Sequence, residues 1–128
     1  MRHPADGKYG RPVILLVEDD AALGPALQFS LQVEGYRVEL MGHAEALLER
    51  TLPEEPFAIV TDLNLPGLSG IEALEALRRR DVRAPAILLT SQPTRRLGAR
   101  AAQAGVMVLE KPILSDRLAH ALKALWRD

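Results

Sequence analysis

Four short apolar runs in this chain each end in a polar or charged residue, and that repetition constrains the fold more than any other feature. Val13 to Val17 runs into Glu18, Asp19 and Asp20. Phe57 to Thr61 runs into Asp62, which opens the turn Leu63-Asn64-Leu65-Pro66-Gly67-Leu68-Ser69-Gly70. A third run ends in Thr90, and a fourth segment ends in Lys111-Pro112. Continuous apolar runs of strand length are the mark of strands buried on both faces, as in a parallel sheet. All strand ends of one polarity lie along one edge of such a sheet. That edge collects acids, a hydroxyl and an ammonium, a set suited to a divalent cation and a phosphoryl group.

The segments between the runs carry helical spacing. Leu23, Leu27 and Leu31 recur every four residues, with Asp20 as a cap and Gly35 as the stop. Gly24-Pro25 is expected to weaken or bend that helix about one turn in, because proline removes a donor. Arg37 to Leu40 reads as a short strand, and His43 to Arg50 as a helix closed by Pro53. A helix is expected from Gly70 to Arg80, with Ile71, Leu74 and Leu77 on one face. Its Arg78-Arg79-Arg80 end reads as a solvated run that complements the helix dipole. Pro85 to Thr90 reads as the fourth strand, Arg95 to Ala104 as a helix ended by Gly105, and Val106 to Leu109 as the fifth strand. Ser115 is expected to cap a last helix with Leu118, Leu122 and Leu125 inward, and Trp126 to anchor it. Strand then helix thus repeats five times, which gives a doubly wound α/β sheet with its ligand site outside the carboxyl ends of the strands.

At 128 residues the chain fits one domain with a substantial core. The polar stretch from Met1 to Pro12 reads as a flexible arm, leaving 13–128 as the domain. The absence of cysteine excludes disulfides, thiolate catalysis and cysteine zinc sites. A net charge of −1 gives no bulk attraction to nucleic acid or membrane. No apolar run approaches membrane-spanning length, and the N-terminus lacks the apolar core of a secretory signal, so a cytoplasmic location is expected. His3, His43 and His120 have no ligand-like spacing.

Val17-Glu18-Asp19-Asp20, Asp62-Leu-Asn-Leu-Pro66-Gly67-Leu-Ser-Gly70, Leu88-Leu89-Thr90-Ser91 and Glu110-Lys111-Pro112 together resemble the receiver domain of bacterial two-component response regulators. The resemblance covers nearly all of the chain after the arm. It implies a flavodoxin-like fold with strand order 2-1-3-4-5. It implies a phosphorelay module that accepts a phosphoryl group on Asp62, as an aspartyl phosphate, from a histidine kinase or phosphotransfer protein. Asp19 would bind Mg²⁺ directly, Glu18 through water, and Asn64 by its backbone carbonyl, with Asp62 completing the set. Thr90 would bond a phosphoryl oxygen, and Lys111 would pair with Asp62 and then with the phosphoryl group. The Lys111–Pro112 bond would be cis. Output would pass to a protein partner or a second copy through the face made by the fourth helix, fifth strand and fifth helix, without nucleic acid contact by this domain. Separate substrate turnover is not expected, so the chain is not an enzyme in that sense.

Two departures stand out. Receivers usually carry an aromatic residue three positions before the lysine, and Val108 stands there. The link from Gly105 to Lys111 is also one residue shorter than the usual pattern. Each site residue has a plain alternative. Asp62 alone reads as a turn residue or helix cap, Glu18 and Asp19 as a solvated loop face, Thr90 as an ordinary strand residue and Lys111 as a surface lysine. Two other functions compete. A pseudo-receiver would act as a phosphorylation-independent scaffold. A phosphatase of the haloacid dehalogenase type wants a second Asp where Asn64 stands, and after the first strand. Arg95, Arg96 and Arg100 are expected to project from the fourth helix toward solvent or a partner's acids. Whether the chain is stand-alone or part of a longer regulator stays open.

Overall fold

A computed structural model describes residues 11–50, 56–113 and 115–125, with Ser115 described for its backbone only. Five strands, β1 (Val13–Val17), β2 (Arg37–Met41), β3 (Ala58–Asp62), β4 (Ala86–Thr90) and β5 (Val106–Glu110), form one sheet in the order β2-β1-β3-β4-β5. Every neighbouring pair is parallel. The helices α1 (Leu23–Val33), α2 (Glu45–Glu49), α3 (Gly70–Arg79), α4 (Arg95–Gln103) and α5 (Ser115–Leu125) supply the crossovers that parallel pairing requires. Among the described residues no helix is long and apolar enough to cross a membrane.

The three central strands are buried along their whole length, which is why they read as unbroken apolar runs. Alternate residues feed two cores. Leu15, Val17, Ile59 and Leu88 pack with Leu47, Ile71, Leu74, Leu77 and Leu97 on the face of α2, α3 and α4. Ile14, Leu16, Val60, Ile87 and Leu89 pack with Leu27, Leu31, Leu118 and Leu122 on the face of α1 and α5. The switch in direction from β1 falls between α1 and α3. The polar ends of β1 and β3 therefore meet at a crevice.

Local chemistry sets the element ends. Gly35 (φ 103°) lets α1 close with Gly35 N–H donating to the Gln32 carbonyl and Tyr36 N–H to that of Leu31, a closure that favours a left-handed residue. Asp20 Oδ1 accepts from Ala22 N–H and Leu23 N–H at 2.8 Å each, so Asp20 works as the expected cap. Helix α1 consequently begins at Leu23, and Pro25 falls in its first turn. Gly24 N–H and Ala26 N–H donate to the carbonyls of Asp20 and Ala22, four residues back, and Pro25 leaves out the one donor between them. Helix α2 is shorter than His43 to Arg50, and Pro53 lies outside the described residues. The arm is likewise undescribed up to residue 10, whereas Pro12 is tied to β2 by accepting from Arg37 N–H at 2.9 Å. Trp126 also lies outside the described residues.

The arginine run departs from a solvated helix end. Arg78 donates to the carbonyls of Ala104 (2.8 Å), Val82 (2.9 Å) and Ala84 (2.8 Å), stapling the end of α3 to the chain entering β4 and to the α4–β5 turn. Arg80 donates to Leu48 carbonyl, and only Arg79 and Arg80 of the three are largely exposed. Arg100 does not await a partner molecule, because it forms a two-pronged pair with Glu75 of α3 at 2.7 Å. Arg95 and Arg96 are exposed.

Removing Arg78 leaves three partly buried carbonyls without that donor, and hydrogen bonds to charged groups are worth about 1.5–3 kcal/mol each. Urea unfolding of Arg78→Ala is therefore expected to lose at least about 2 kcal/mol. Arg79→Ala should stay within about 0.5 kcal/mol of wild type, as exposed substitutions do.

Candidate functional site

Four of the five strands deliver one group each to the same edge. Glu18 follows β1, Asp62 closes β3, Thr90 closes β4 and Lys111 follows β5. The register aligns them: Val17 lies opposite Thr61, Asp62 opposite Leu89, and Thr90 opposite Glu110. Past the strands the ladder continues, with Leu63 N–H donating to Leu89 carbonyl and Lys111 N–H to Thr90 carbonyl, both at 2.8 Å. Position along the edge is thus fixed by backbone pairing before any side chain interacts.

Glu18, Asp19 and Asp62 each bring a carboxylate oxygen within 4.8 Å of the others. Glu18 is 4% and Asp62 5% exposed, while Asp19 faces solvent. Lys111 Nζ lies 3.1 Å from Asp62 Oδ2 and 3.3 Å from Glu18 Oε1. The cluster has three carboxylates and one ammonium, so its ionised form keeps a surplus of negative charge. Burial raises the Glu18 carboxyl above the ordinary range and the neighbouring Asp62 charge raises it further, against the Asp20 N–H and Lys111. A raised carboxyl favours folding at low pH and costs stability as pH climbs through its folded value. For Lys111, burial acts to lower the ammonium. The hydrogen bond and charge of Asp62, joined by Glu18, outweigh it and leave the group raised. Its contribution is therefore complete at neutral pH and fades only above the ordinary lysine range.

The donor set is all oxygen, partly buried and negatively over-charged, which fits a hard divalent cation such as Mg²⁺ better than a soft metal. Asp20 stands outside this set because both its capping hydrogen bonds point it at α1. Thr90 is 1% exposed, and its hydroxyl oxygen accepts from Gln92 N–H at 3.1 Å. Asn64 lies exposed on the loop between β3 and α3. The Lys111–Pro112 peptide is cis. Val108 pairs opposite Leu88 and is half-buried against the α2–α3–α4 core. The shortened link still seats Lys111 beside Asp62, since all five residues from Val106 to Glu110 lie in the strand.

One positioning feature was hidden in the sequence. Gly70 opens α3, and a Cβ there would collide with the carbonyl oxygen of Asp62 and lie 3.0 Å from Thr61 Oγ1. Thr61, fully buried, donates its hydroxyl to that same carbonyl at 3.0 Å. The backbone of Asp62 is thus clamped between a hydroxyl and a helix start. The helix start is itself fixed by a capping box in which Ser69 and Glu72 exchange side chain-to-backbone hydrogen bonds.

A doubly wound domain with an acid–lysine crevice at its switch point defines a class whose known members can be compared directly. The response regulator receiver domain model matches residues 14–123, and the chain belongs to that family. The transcriptional regulatory protein FixJ of Bradyrhizobium diazoefficiens is 34% identical over 117 residues, covering 90% of this chain and 57% of the relative. The phosphate regulon transcriptional regulatory protein PhoB of Rhizobium meliloti is 35% identical over 123 residues, covering 91% and 52%. The chain thus spans about half the length of these relatives. The non-phosphorylated HemR receiver domain from Leptospira biflexa superposes with a TM-score of 0.83 at 28% identity, over 90% of this chain and 94% of that one. Chemotaxis protein CheY4 of Vibrio cholerae, at 23% identity, shares the fold with a TM-score of 0.82 over 91% of this chain and 100% of that one.

The division of labour between the adjacent acids is measurable. Calorimetric titration with Mg²⁺ is expected to show Asp19→Ala weakening affinity by at least about tenfold, while Asp20→Ala stays close to wild type. Equal losses would mean that the acidic pair is wrongly assigned. Mg²⁺ is also expected to raise the thermal midpoint of wild type at neutral pH, since the three carboxylates converge only in the folded chain.

Proposed function

We propose that this chain is a phosphorylation-switched receiver in which Asp62 is the acceptor. The observation that carries this reading is the meeting of three carboxylates with Lys111 at one sheet edge. In the proposed reaction an Asp62 carboxylate oxygen attacks phosphorus of the donor and the bond from phosphorus to the donor's leaving atom breaks. A histidine kinase or phosphotransfer protein is the donor class. Carboxylates act as nucleophiles in this way, and phosphoryl transfer demands positioning and charge neutralisation more than acid–base chemistry. Glu18, Asp19, Asp62 and the Asn64 carbonyl would hold Mg²⁺, which when bound supplies charge neutralisation for the phosphoryl oxygens. Acyl phosphate formation would remove the Asp62 carboxylate charge and place new anionic oxygens beside Lys111 and Thr90. Lys111 would then exchange its Asp62 partner for the phosphoryl group, and Thr90 would give up its local geometry to donate to it. That exchange biases a two-state surface toward a partner. The event is stoichiometric modification, without turnover of a separate substrate, and a cytoplasmic setting with partner contact through α4, β5 and α5 completes the proposal.

Val108 bears on the readout. It is packed into the core beside Leu88 and has no ring to swing between surface and interior. Acceptance of the phosphoryl group is expected to persist while the response of the α4–β5–α5 face is muted. Chemical-shift mapping with a beryllofluoride mimic should give small changes across 95–110. A large response there would count against a muted readout.

The direct test uses acetyl phosphate with Mg²⁺ and intact mass. Wild type is expected to gain one phosphoryl group, and Asp62→Asn and Asp62→Ala to gain none. Equal labelling in the variants would remove Asp62 from its role, and an unlabelled wild type would favour a phosphorylation-independent scaffold. Lys111→Ala should keep Mg²⁺ binding yet lose the structural response to modification. An unchanged response would exclude Lys111 as the coupling cation.

A further inference from the structure

The loop Leu63–Ser69 joins the acceptor strand to α3 and carries Asn64. Its two ends are tied by backbone, with Leu63 N–H donating to Leu89 carbonyl and Gly70 N–H to Leu63 carbonyl. Leu63, Leu65 and Leu68 rest on the α2–α3–α4 core, whereas Pro66 and Gly67 are exposed. A side chain from a different crossover reaches this loop. Glu45, the first residue of α2, accepts from Leu68 N–H through Oε2 at 3.1 Å. Among the described residues this is the hydrogen bond that ties 64–68 to another element.

The surroundings show that the loop is shaped around that carboxylate. Gly67 adopts φ +80°, and a Cβ there would stand 2.5 Å from Glu45 Oε2. Glycine at 67 therefore supplies both a left-handed turn and the space the carboxylate occupies. The other oxygen, Oε1, faces His43 Nδ1 at 3.6 Å. One oxygen thus faces His43 while the other accepts from the loop after Asp62. Its own N–H, then that of Leu68, hold the Glu45 carboxyl below the usual range, so the acceptor of this bond is an anion.

We propose that Glu45 is a positioning residue for phosphoryl acceptance, holding the loop that follows Asp62 in register through the Leu68 amide. The proposal rests on the reading of Asp62 as acceptor. Its physical basis is that misplacing reacting groups by about 1 Å can cost on the order of 100-fold in rate. Glu45 touches neither donor nor metal ligand, so its influence must travel through the loop.

The test compares wild type, Glu45→Ala and Glu45→Gln in three measurements: amide exchange at Leu68, Mg²⁺ affinity by calorimetry, and labelling rate with acetyl phosphate at saturating Mg²⁺. Glu45→Ala is expected to speed Leu68 exchange by about tenfold or more. It should slow labelling by roughly 10- to 100-fold and weaken Mg²⁺ affinity by about tenfold. Glu45→Gln keeps an acceptor oxygen and should restore all three to within about threefold of wild type. Equal defects in both variants would overturn the proposal. So would faster Leu68 exchange in Glu45→Ala with labelling and Mg²⁺ affinity unchanged. Should wild type itself take no phosphoryl group, the functional reading fails separately. The exchange and Mg²⁺ measurements then decide the role of Glu45, and an unaltered Mg²⁺ affinity in Glu45→Ala overturns it.

Discussion

Repulsion between carboxylates that the parallel sheet forces together is the constraint on which this structure turns. Strand pairing places Glu18 and Asp62 at adjacent ends whatever their charge, and both are nearly buried. Water cannot screen them well, so the edge must import positive charge or protonate. Lys111 supplies part of that charge from two strands away. What remains uncompensated is an all-oxygen, negatively charged cluster of the kind that suits a hard dication.

The clamp around Asp62 explains how a short loop can sustain such a cluster. Thr61 and Gly70 grip its carbonyl from two sides, and the Ser69–Glu72 box fixes where α3 begins. Lys111 reaches the same carboxylate from β5 because its N–H is paired with Thr90. The site is built on strand termini and helix starts, the rigid parts of the fold, and its electrostatic tension is borne by backbone pairing.

Much of this was legible before any coordinates. β1, β3 and β4 are unbroken apolar runs because both their faces are covered, and the site residues stand where those runs stop. Asp62, Glu18, Asp19 and Lys111 were readable for that reason: their position relative to a strand end is a local property. What could not be read depends on partners far away in sequence. Arg78 is a staple only because Ala104 lies beside it, and Arg100 is committed only because Glu75 faces it. Glu45 resembles an ordinary first-turn acid until Leu68 is seen against it. Ser69 and Glu72 spell a capping box plainly, but only the fold shows that the helix start it fixes abuts the backbone of Asp62.

The central claim is that acids from two strand termini share one dication, and Mn²⁺ in place of Mg²⁺ makes that visible. Paramagnetic broadening of backbone amides at substoichiometric Mn²⁺ should centre on residues 18–19 and 62–64, spread to 90 and 111, and disappear in Asp19→Ala. Broadening centred elsewhere, or the same pattern surviving in that variant, would contradict the account.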